Sequence, residues 1–237
     1  MKVYERITPE LQTWIEKQKI FFVGSAPLQA DGHVNLSPKG HDCLRIVDDH
    51  TACYMDMTGS GNETSAHIAE NGRLTFMFCA VEGPPRILRL YGRGQVVLRG
   101  TPAFDALVAQ TGLSVLPSAR QIVVNHVQKI TTSCGYAVPK FEYLQERTTH
   151  SDFVKSKADT DPELVLYQQE RNTRSLDGLV TPLGKKYGVS SSSAKKGWTP
   201  FSNSTTLATA SAVLTVVCGA VVVLSMGATP SSTRVSS

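Results

Sequence analysis

The residues best suited to chemistry are the hydroxyl and glycine residues of the sequence TGSGNET, at positions 58–64. They precede a predicted helix that begins at Asn62, so the free N–H groups of its first turn and the positive end of its dipole would converge on this loop. Ser37 and Lys39, at the end of a preceding predicted strand, would add a hydroxyl group and a positive charge. The pattern predicts an anion site that suits a phosphate group. An ordinary helix N-cap at Ser60 or Asn62 would explain the same residues.

A second group of candidate ligands consists of the arginines in the sequence EGPPRILRLYGRG. The alternation of a predicted strand puts Arg89 and Arg93 on one face. Arg86, Arg89 or Arg93 could hold a phosphate or carboxylate through its bidentate fork, or could simply be solvated or paired with surface acids. Gly92 and Gly94 would permit close approach of a ligand or of another backbone, and a bend of the barrel explains them equally.

Other kinds of site are not indicated. The loop at 58–64 does not match the GxxxxGK[ST] pattern of a nucleotide-binding P-loop. It also does not match the GxGxxG pattern that follows a parallel strand in dinucleotide-binding proteins. The 5 cysteines form no CxxC pair and the 6 histidines no HExxH, so we predict no metal site and expect reduced thiols. Tyr136, in the sequence SCGYAVP, could cover a ligand ring or pack in a turn. No residue is predicted to be catalytic.

The charge of the chain argues against nucleic acid as a partner. The formal net charge is +4 and the sequence pI is about 8.8. Lysine and arginine are spread along the chain rather than clustered in one patch. We therefore expect no binding of nucleic acid.

Short apolar segments separated by turn residues predict the elements that position these candidates. Thr8, followed by Pro9 and Glu10, begins a predicted helix. Strands are predicted at residues 20–26, from 33, at 44–47, 51–57 and 73–81, from 87 and at 121–132, and further helices from 62 and 101. Hairpins flanked by helices predict a mainly β (α+β) protein with an antiparallel barrel, and an α+β sandwich is the alternative.

The C-terminal part of the sequence carries a separate signal. Residues 207–226 contain no charged residue, and 20 residues are about enough to cross a bilayer core of ~30 Å. Lysines precede this stretch and only Arg234 follows it, which predicts a transmembrane tail anchor with the main domain in the cytosol. Threonine, serine and glycine dilute its apolar character, so a core-packed segment of a soluble cytoplasmic protein is the alternative.

Four pieces of the sequence, SPKG, TGSGNET, EGPPRILRLYGRG and SCGYAVPKFEY, resemble the FMN-binding split-barrel family related to pyridoxamine 5'-phosphate oxidase. The resemblance runs from about Thr8 to about Leu179. It implies an antiparallel split β-barrel, FMN as the cofactor, and a homodimer that binds FMN at the subunit interface. Deazaflavin F420 and haem are the alternative cofactors.

The resemblance also implies which residues would hold the cofactor. The phosphate would meet Lys39, Ser60 and Thr64 with nearby backbone N–H groups. The full set of candidate cofactor-binding residues is Ser37, Lys39, Thr58, Gly59, Ser60, Thr64, Arg86 and Arg93.

For function, the resemblance implies an FMN-dependent oxidoreductase acting on a small-molecule redox substrate. A Trp and an Arg-Leu-x-Pro segment close the pyridoxamine 5'-phosphate oxidases, and nothing after Tyr143 supplies them. Vitamin B6 oxidation is therefore not expected. The alternative is a non-enzymatic flavin- or haem-binding module, or a membrane-tethered scaffold.

The predicted organisation has four parts. They are an FMN-binding split-barrel domain with a C-terminal helical extension at 1–179, a flexible Ser/Lys/Gly linker at 180–206, the candidate transmembrane segment at 207–226, and a short polar tail at 227–237.

Overall fold

The computed structural model describes residues 1–149 and 162–191. Within them, 8 strands form one antiparallel sheet. The strands are β1 (Lys2–Tyr4), β2 (Phe21–Ser25), β3 (Asn35–Lys39), β4 (Leu44–Asp48), β5 (Thr51–Met57), β6 (Arg73–Cys79), β7 (Ile87–Leu98) and β8 (Ala119–Ser133). The helices are α1 (Pro9–Glu16), α2 (Glu63–Asn71), α3 (Pro102–Thr111), α4 (Pro162–Arg171) and α5 (Pro182–Lys186).

The hydrophobic core lies on the inward face of the strands. Alternate side chains of β6 are buried there, among them Phe76 and Phe78, which are fully inaccessible. The ring of Phe21 packs between those of Phe78 and Tyr54, at centroid distances of 5.6 and 5.7 Å. Burial of such side chains stabilises the fold by roughly 1.5–3 kcal/mol each, so this aromatic cluster anchors the barrel.

The helix boundaries follow the capping residues predicted from the sequence. The Thr8 hydroxyl accepts a hydrogen bond from the Leu11 N–H at the start of α1, and Thr101 does the same at the start of α3. α2 ends at Gly72, whose φ of 71° lies in the left-handed region that favours glycine. The expected hairpins and helices of the barrel domain are thus confirmed.

The strand order β3-β2-β6-β7-β8-β5-β4 places β3 and β4 at the two edges of the sheet, and these edges do not pair with each other. Side chains connect β3 to β5, the neighbour of β4, because the Lys39 ammonium lies 2.9 Å from the Asp56 carboxylate. Asn35 of β3 likewise donates a hydrogen bond to the hydroxyl of Thr64 in α2. This split in an otherwise continuous antiparallel sheet confirms the predicted split-barrel architecture.

Close approach of the chain to itself explains the two glycines of β7. A Cβ atom on Gly92 would lie 2.2 Å from the carbonyl oxygen of His126 in β8. A Cβ atom on Gly94 would lie 2.6 Å from the side chain of Ile68 in α2. Both positions therefore serve packing of the chain rather than approach of a ligand.

The predicted fold class needs one correction, which concerns the transmembrane helix. The longest described helices contain 10 residues, about 15 Å at 1.5 Å per residue, whereas a bilayer core is about 30 Å thick. Across residues 1–149 and 162–191, no helix has the length and apolar character to cross a membrane. The candidate segment 207–226 lies outside the described residues, so the prediction of a fold with a C-terminal transmembrane helix is not supported.

Residues 162–191, which we call the C-terminal segment, pack onto the barrel domain. Leu164 of α4 and Leu183 of α5 are both 3% exposed. α5 lies within the range 180–206, which is predicted from the sequence to be a flexible linker. The part of that range beyond residue 191 lies outside the described residues. These two buried leucines therefore hold the C-terminal segment against the barrel domain.

Candidate functional site

A buried cluster of charges lies where β3 faces β5. Asp56 of β5 is 3% exposed, and its Oδ1 atom accepts a 2.9 Å hydrogen bond from Nζ of Lys39. Its Oδ2 atom accepts hydrogen bonds from Nε of Arg120 at 2.9 Å and from the side-chain amide of Gln121 at 2.8 Å. Two cations thus share one carboxylate, and the cluster carries one net positive charge.

The protonation state of this cluster follows from its surroundings. Burial disfavours ionisation of Asp56, but the charges of Arg120 and Lys39 outweigh burial and hold the pKa of Asp56 well below its usual range. The carboxylate is therefore ionised at neutral pH, and both cations keep their partner.

Hydrogen bonds connect the charge cluster to the loop before α2. Arg120 donates from Nη1 to the carbonyl oxygen of Gly61 at 2.9 Å. Gln121 donates to the side-chain oxygen of Asn62 at 2.9 Å, and the Asn62 amide donates to the carbonyl oxygen of Asn172. The net positive charge thus lies beside the first turn of α2.

The first turn of α2 is not capped by its N-cap residue. Asn62 occupies the N-cap position, but its side chain makes no capping hydrogen bond because it contacts Gln121 and Asn172. Among the described residues, apart from its chain neighbours, none has an atom within 4 Å of the position that a Cβ of Gly59 would take, and Ser60 is exposed. The turn therefore has backbone N–H groups, a free approach and an exposed hydroxyl, which together suit an anion.

The Glu63 carboxylate, although in the first turn of α2, is held by the C-terminal segment. It accepts hydrogen bonds from the backbone N–H of Leu176 at 2.9 and 3.1 Å. Burial raises the pKa of Glu63, and the hydrogen bond from the Leu176 N–H opposes this rise.

The C-terminal segment also covers the side of the loop next to β8. The Gln168 amide donates to the Thr58 hydroxyl at 2.8 Å, and the Asn172 amide donates to the carbonyl oxygen of Gly59 at 2.8 Å. Oδ1 of Asn172 is buried and has no hydrogen-bond partner among the described residues. The loop is therefore held in place by residues more than 100 positions away in the sequence.

A second contact fixes the C-terminal segment to the hairpin between β2 and β3. Nδ1 of His33 lies 2.7 Å from Oδ1 of Asp177, and the His33 backbone N–H donates to Oδ2 at 2.9 Å. The hydrogen bond and charge of Asp177 raise the pKa of His33. Burial opposes ionisation of Asp177, yet the bonds from His33 keep its pKa below the usual value.

We predict that the His33–Asp177 pair stabilises the fold in a pH-dependent way. The raised pKa of His33 adds stability that is fully present below about pH 6.5 and is lost as pH rises through the folded-state pKa. The thermal midpoint of the wild-type protein should exceed that of His33→Gln by the largest margin near pH 5 at low salt, and this margin should shrink by about pH 8.5. A margin that stays constant or grows with pH would contradict this role of the pair.

The predicted site residues fall into two groups. The first group lies in β3, at the loop before α2 or in the first turn of α2, and consists of Ser37, Lys39, Thr58, Gly59, Ser60 and Thr64. Ser37 is joined to Thr64 through Asn35, which accepts from the Ser37 hydroxyl and donates to the Thr64 hydroxyl.

The structure does not bring the two predicted arginines to this place. Arg93 donates to the carbonyl oxygen of Asn71 at 2.6 Å, at the opposite end of α2 from the loop. Arg86 lies over the Trp14 ring and 3.5 Å from the Glu10 carboxylate. Both arginines are thus engaged with the protein itself.

Sequence reasoning missed three groups at the site. Asp56 interrupts the apolar run of β5 and Arg120 stands at the start of an apolar strand, so both could have been recognised as buried charges that need partners. Asn172 gave no signal, because nothing in its local sequence indicates contact with Gly59.

Comparison with known proteins agrees with this fold. The family model described as pyridoxamine 5'-phosphate oxidase matches residues 7–134. The chain is 35% identical over 190 residues to the pyridoxamine 5'-phosphate oxidase family protein ustO of Aspergillus flavus, covering 74% of this chain and 76% of that protein.

Solved structures with a similar fold are more distant. HupZ of Group A Streptococcus has 22% identity and a TM-score of 0.43, covering 57% of this chain and 99% of its own. HutZ, named as a heme storage protein from Vibrio cholerae, has 15% identity and a TM-score of 0.40, covering 55% and 98%. The FAD binding protein from Mycobacterium smegmatis has 13% identity and a TM-score of 0.38, covering 55% and 97%.

The family model covers more than half of the chain, and the Aspergillus protein matches across three quarters of it. The antiparallel barrel with its split between β3 and β4 is consistent with both matches. The chain therefore belongs to the pyridoxamine 5'-phosphate oxidase family.

Proposed function

We propose that the protein binds FMN, with the phosphate of the cofactor at the loop before α2. One observation carries this proposal: the uncapped first turn of α2 lies beside a buried cluster with one net positive charge. Backbone N–H groups at a helix N-terminus favour a phosphate group, and nearby positive charge strengthens that preference.

The residues present fit a phosphate group at this position. Ser60 supplies an exposed hydroxyl, and Gly59 leaves the approach to the backbone open. Lys39 and Arg120 act through the charge of the cluster, since both are already bonded to Asp56. Thr58 and Gly59 are held by the C-terminal segment, which would keep the loop in the shape that the phosphate needs.

Bound FMN would supply hydride or electron transfer, and the protein would hold and orient it. We propose on this basis an FMN-dependent oxidoreductase acting on a small-molecule redox substrate other than pyridoxamine 5'-phosphate.

We also propose that the protein acts as a homodimer. The exposed apolar residues of the β2–β3 hairpin, Leu28, Val34 and Leu36, support a partner surface there.

The C-terminal segment supports a second candidate function. Its hydrogen bonds to Thr58, Gly59 and Glu63 cover the loop and would restrict entry of a second substrate. A protein arranged in this way would serve as a non-enzymatic flavin- or haem-binding module.

The visible absorption spectrum of the purified full-length protein tests these functions. We expect flavin bands, release of FMN at about one per chain on denaturation, and reduction of the flavin by NADH or NADPH followed by reoxidation with a quinone or dye. Bound FMN that no nicotinamide reduces would favour the binding module. A colourless protein that fails to bind added FMN would overturn the flavin proposal, and a haem spectrum would replace it with the haem form of the module.

A further inference from the structure

A large cavity lies beside α1 and the end of β3. It has a volume of about 820 Å³ and is bounded by α1, the ends of β2 and β3, the turn after β6, and residues 141–147, which we call the roof segment. Cavities of about 300–1,000 Å³ typically bind small molecules. None of residues 58–64, where we propose the FMN phosphate, lines this cavity, and Lys39 is the residue that the two places share.

The walls of this cavity combine aromatic rings with one partly buried cation. Trp14 of α1, Phe22 of β2 and Phe141 of the roof segment supply aromatic faces. Lys39 lines the cavity from β3, and its side chain is 25% exposed. Lys17, Lys19 and Arg147 also line the cavity, but they are exposed. Aromatic walls with a partly buried cation suit a planar ring system that carries an anionic group.

Two of the acidic residues that line the cavity accept hydrogen bonds from the roof segment. The Glu82 carboxylate accepts a 2.9 Å hydrogen bond from the Tyr143 backbone N–H, and the Glu146 carboxylate accepts one from the Tyr143 hydroxyl at 2.9 Å. The Phe141 backbone N–H donates to the carbonyl oxygen of Val81. These bonds hold the roof segment over the cavity and satisfy two of the acids that line it.

Backbone strain is also present at this cavity. His41 has a φ of 61°, the sole positive value among the non-glycine residues in the described part of the chain. Its Nδ1 atom lies 3.2 Å from the Glu146 carboxylate, which joins the end of β3 to the roof segment. Strained backbone of this kind is concentrated at ligand clamps and active sites.

Lys39 retains the capacity to bind an anion. An ammonium group has three N–H donors, and Asp56 accepts from one of them. Asp56 also neutralises part of the charge of Arg120, so the cluster has one positive charge in excess. The other charged groups of the lining are three exposed cations and three carboxylates, which leaves Lys39 as the partly buried cation available to a single carboxylate group of a ligand.

We propose that this cavity binds an aromatic carboxylate, with its rings against Trp14, Phe22 and Phe141 and its carboxylate on Lys39. The site goes beyond the proposed binding of FMN and does not depend on it, because Lys39 is the one residue that the two share and the cavity contains none of the loop before α2. A ligand here would reach the charge cluster through Lys39.

Calorimetric titration of the full-length protein with 2-naphthoate tests this site, with the uncharged 2-naphthamide as the matched probe. We expect one naphthoate site and at least about tenfold tighter binding than for the amide. Lys39→Met should weaken naphthoate binding about tenfold and leave amide binding unchanged. Lys129→Met, which removes an exposed lysine of β8 outside the cavity, is the control and should change neither.

A second variant keeps the test valid if loss of Lys39 disturbs folding. Phe141 is 62% exposed, so Phe141→Ala should leave the thermal midpoint unchanged while weakening both probes about tenfold. Equal binding of the two probes, or naphthoate binding that neither variant weakens, would overturn the proposal. Displacement of naphthoate by FMN would also overturn it, since the cavity would then belong to the flavin. Retained naphthoate binding in a protein that fails to bind FMN would sink the flavin function alone.

Discussion

Replacement of Asp56 by alanine should lower the free energy of unfolding by about 3–5 kcal/mol. Asp56 is the shared partner of Lys39 and Arg120, and Arg120 has a side chain only 5% exposed. Without the carboxylate, two cations would face each other in a buried place, and the charge of Arg120 would keep no acidic partner among the described residues.

Urea unfolding of the full-length protein measures this loss. Asp42→Ala is the matched control, because Asp42 pairs with Arg45 at the surface and is 80% exposed, so its loss should cost less than about 1 kcal/mol. Asp56→Asn should lower the free energy of unfolding by an amount between those of Asp56→Ala and Asp42→Ala, since an amide oxygen can still accept a hydrogen bond from one of the two cations. Equal effects of Asp56→Ala and Asp42→Ala would show that the charge cluster does not stabilise the barrel.

Substitution of Ser60 by aspartate should weaken FMN binding about 100-fold, or about 2.7 kcal/mol. The new carboxylate would stand at the loop where we propose the phosphate, and it would repel the dianion and compete for the N–H groups of the first turn of α2. Riboflavin, which has no phosphate, should bind the variant and the wild-type protein with the same affinity.

Fluorescence titration with FMN and riboflavin measures both affinities. Ser60→Ala is the control, because it removes only a hydroxyl group and should cost about tenfold or less. Ser60 is exposed, so neither substitution should change the thermal midpoint. A parallel loss of FMN and riboflavin affinity in Ser60→Asp would place the phosphate elsewhere.

The barrel could be predicted from local sequence because its signals are local. Alternation in β6, the Thr8 and Thr101 caps, and the glycine that ends α2 each act within a few residues. The anion-site candidates near α2 were found for the same reason, since the loop and its helix are adjacent in the sequence.

The rest of the site depends on contacts between distant residues. Arg120 and Asp56 are 64 positions apart, and Asn172 and Gly59 are 113 apart. No periodicity or capping rule links such pairs. Local pattern can also indicate a contact that the fold uses differently. The strand position of Arg93 suited contact with a ligand, but its side chain donates a hydrogen bond to the C-terminal end of α2.

The most direct test of the proposed cofactor site is the ratio of the FMN and riboflavin affinities of the wild-type protein, measured by calorimetry. If the loop before α2 holds the phosphate, FMN should bind at least about 100-fold more tightly than riboflavin, because the phosphate contacts are charge-assisted. Equal affinity for the two flavins, or no binding of either, would contradict a phosphate site at this helix.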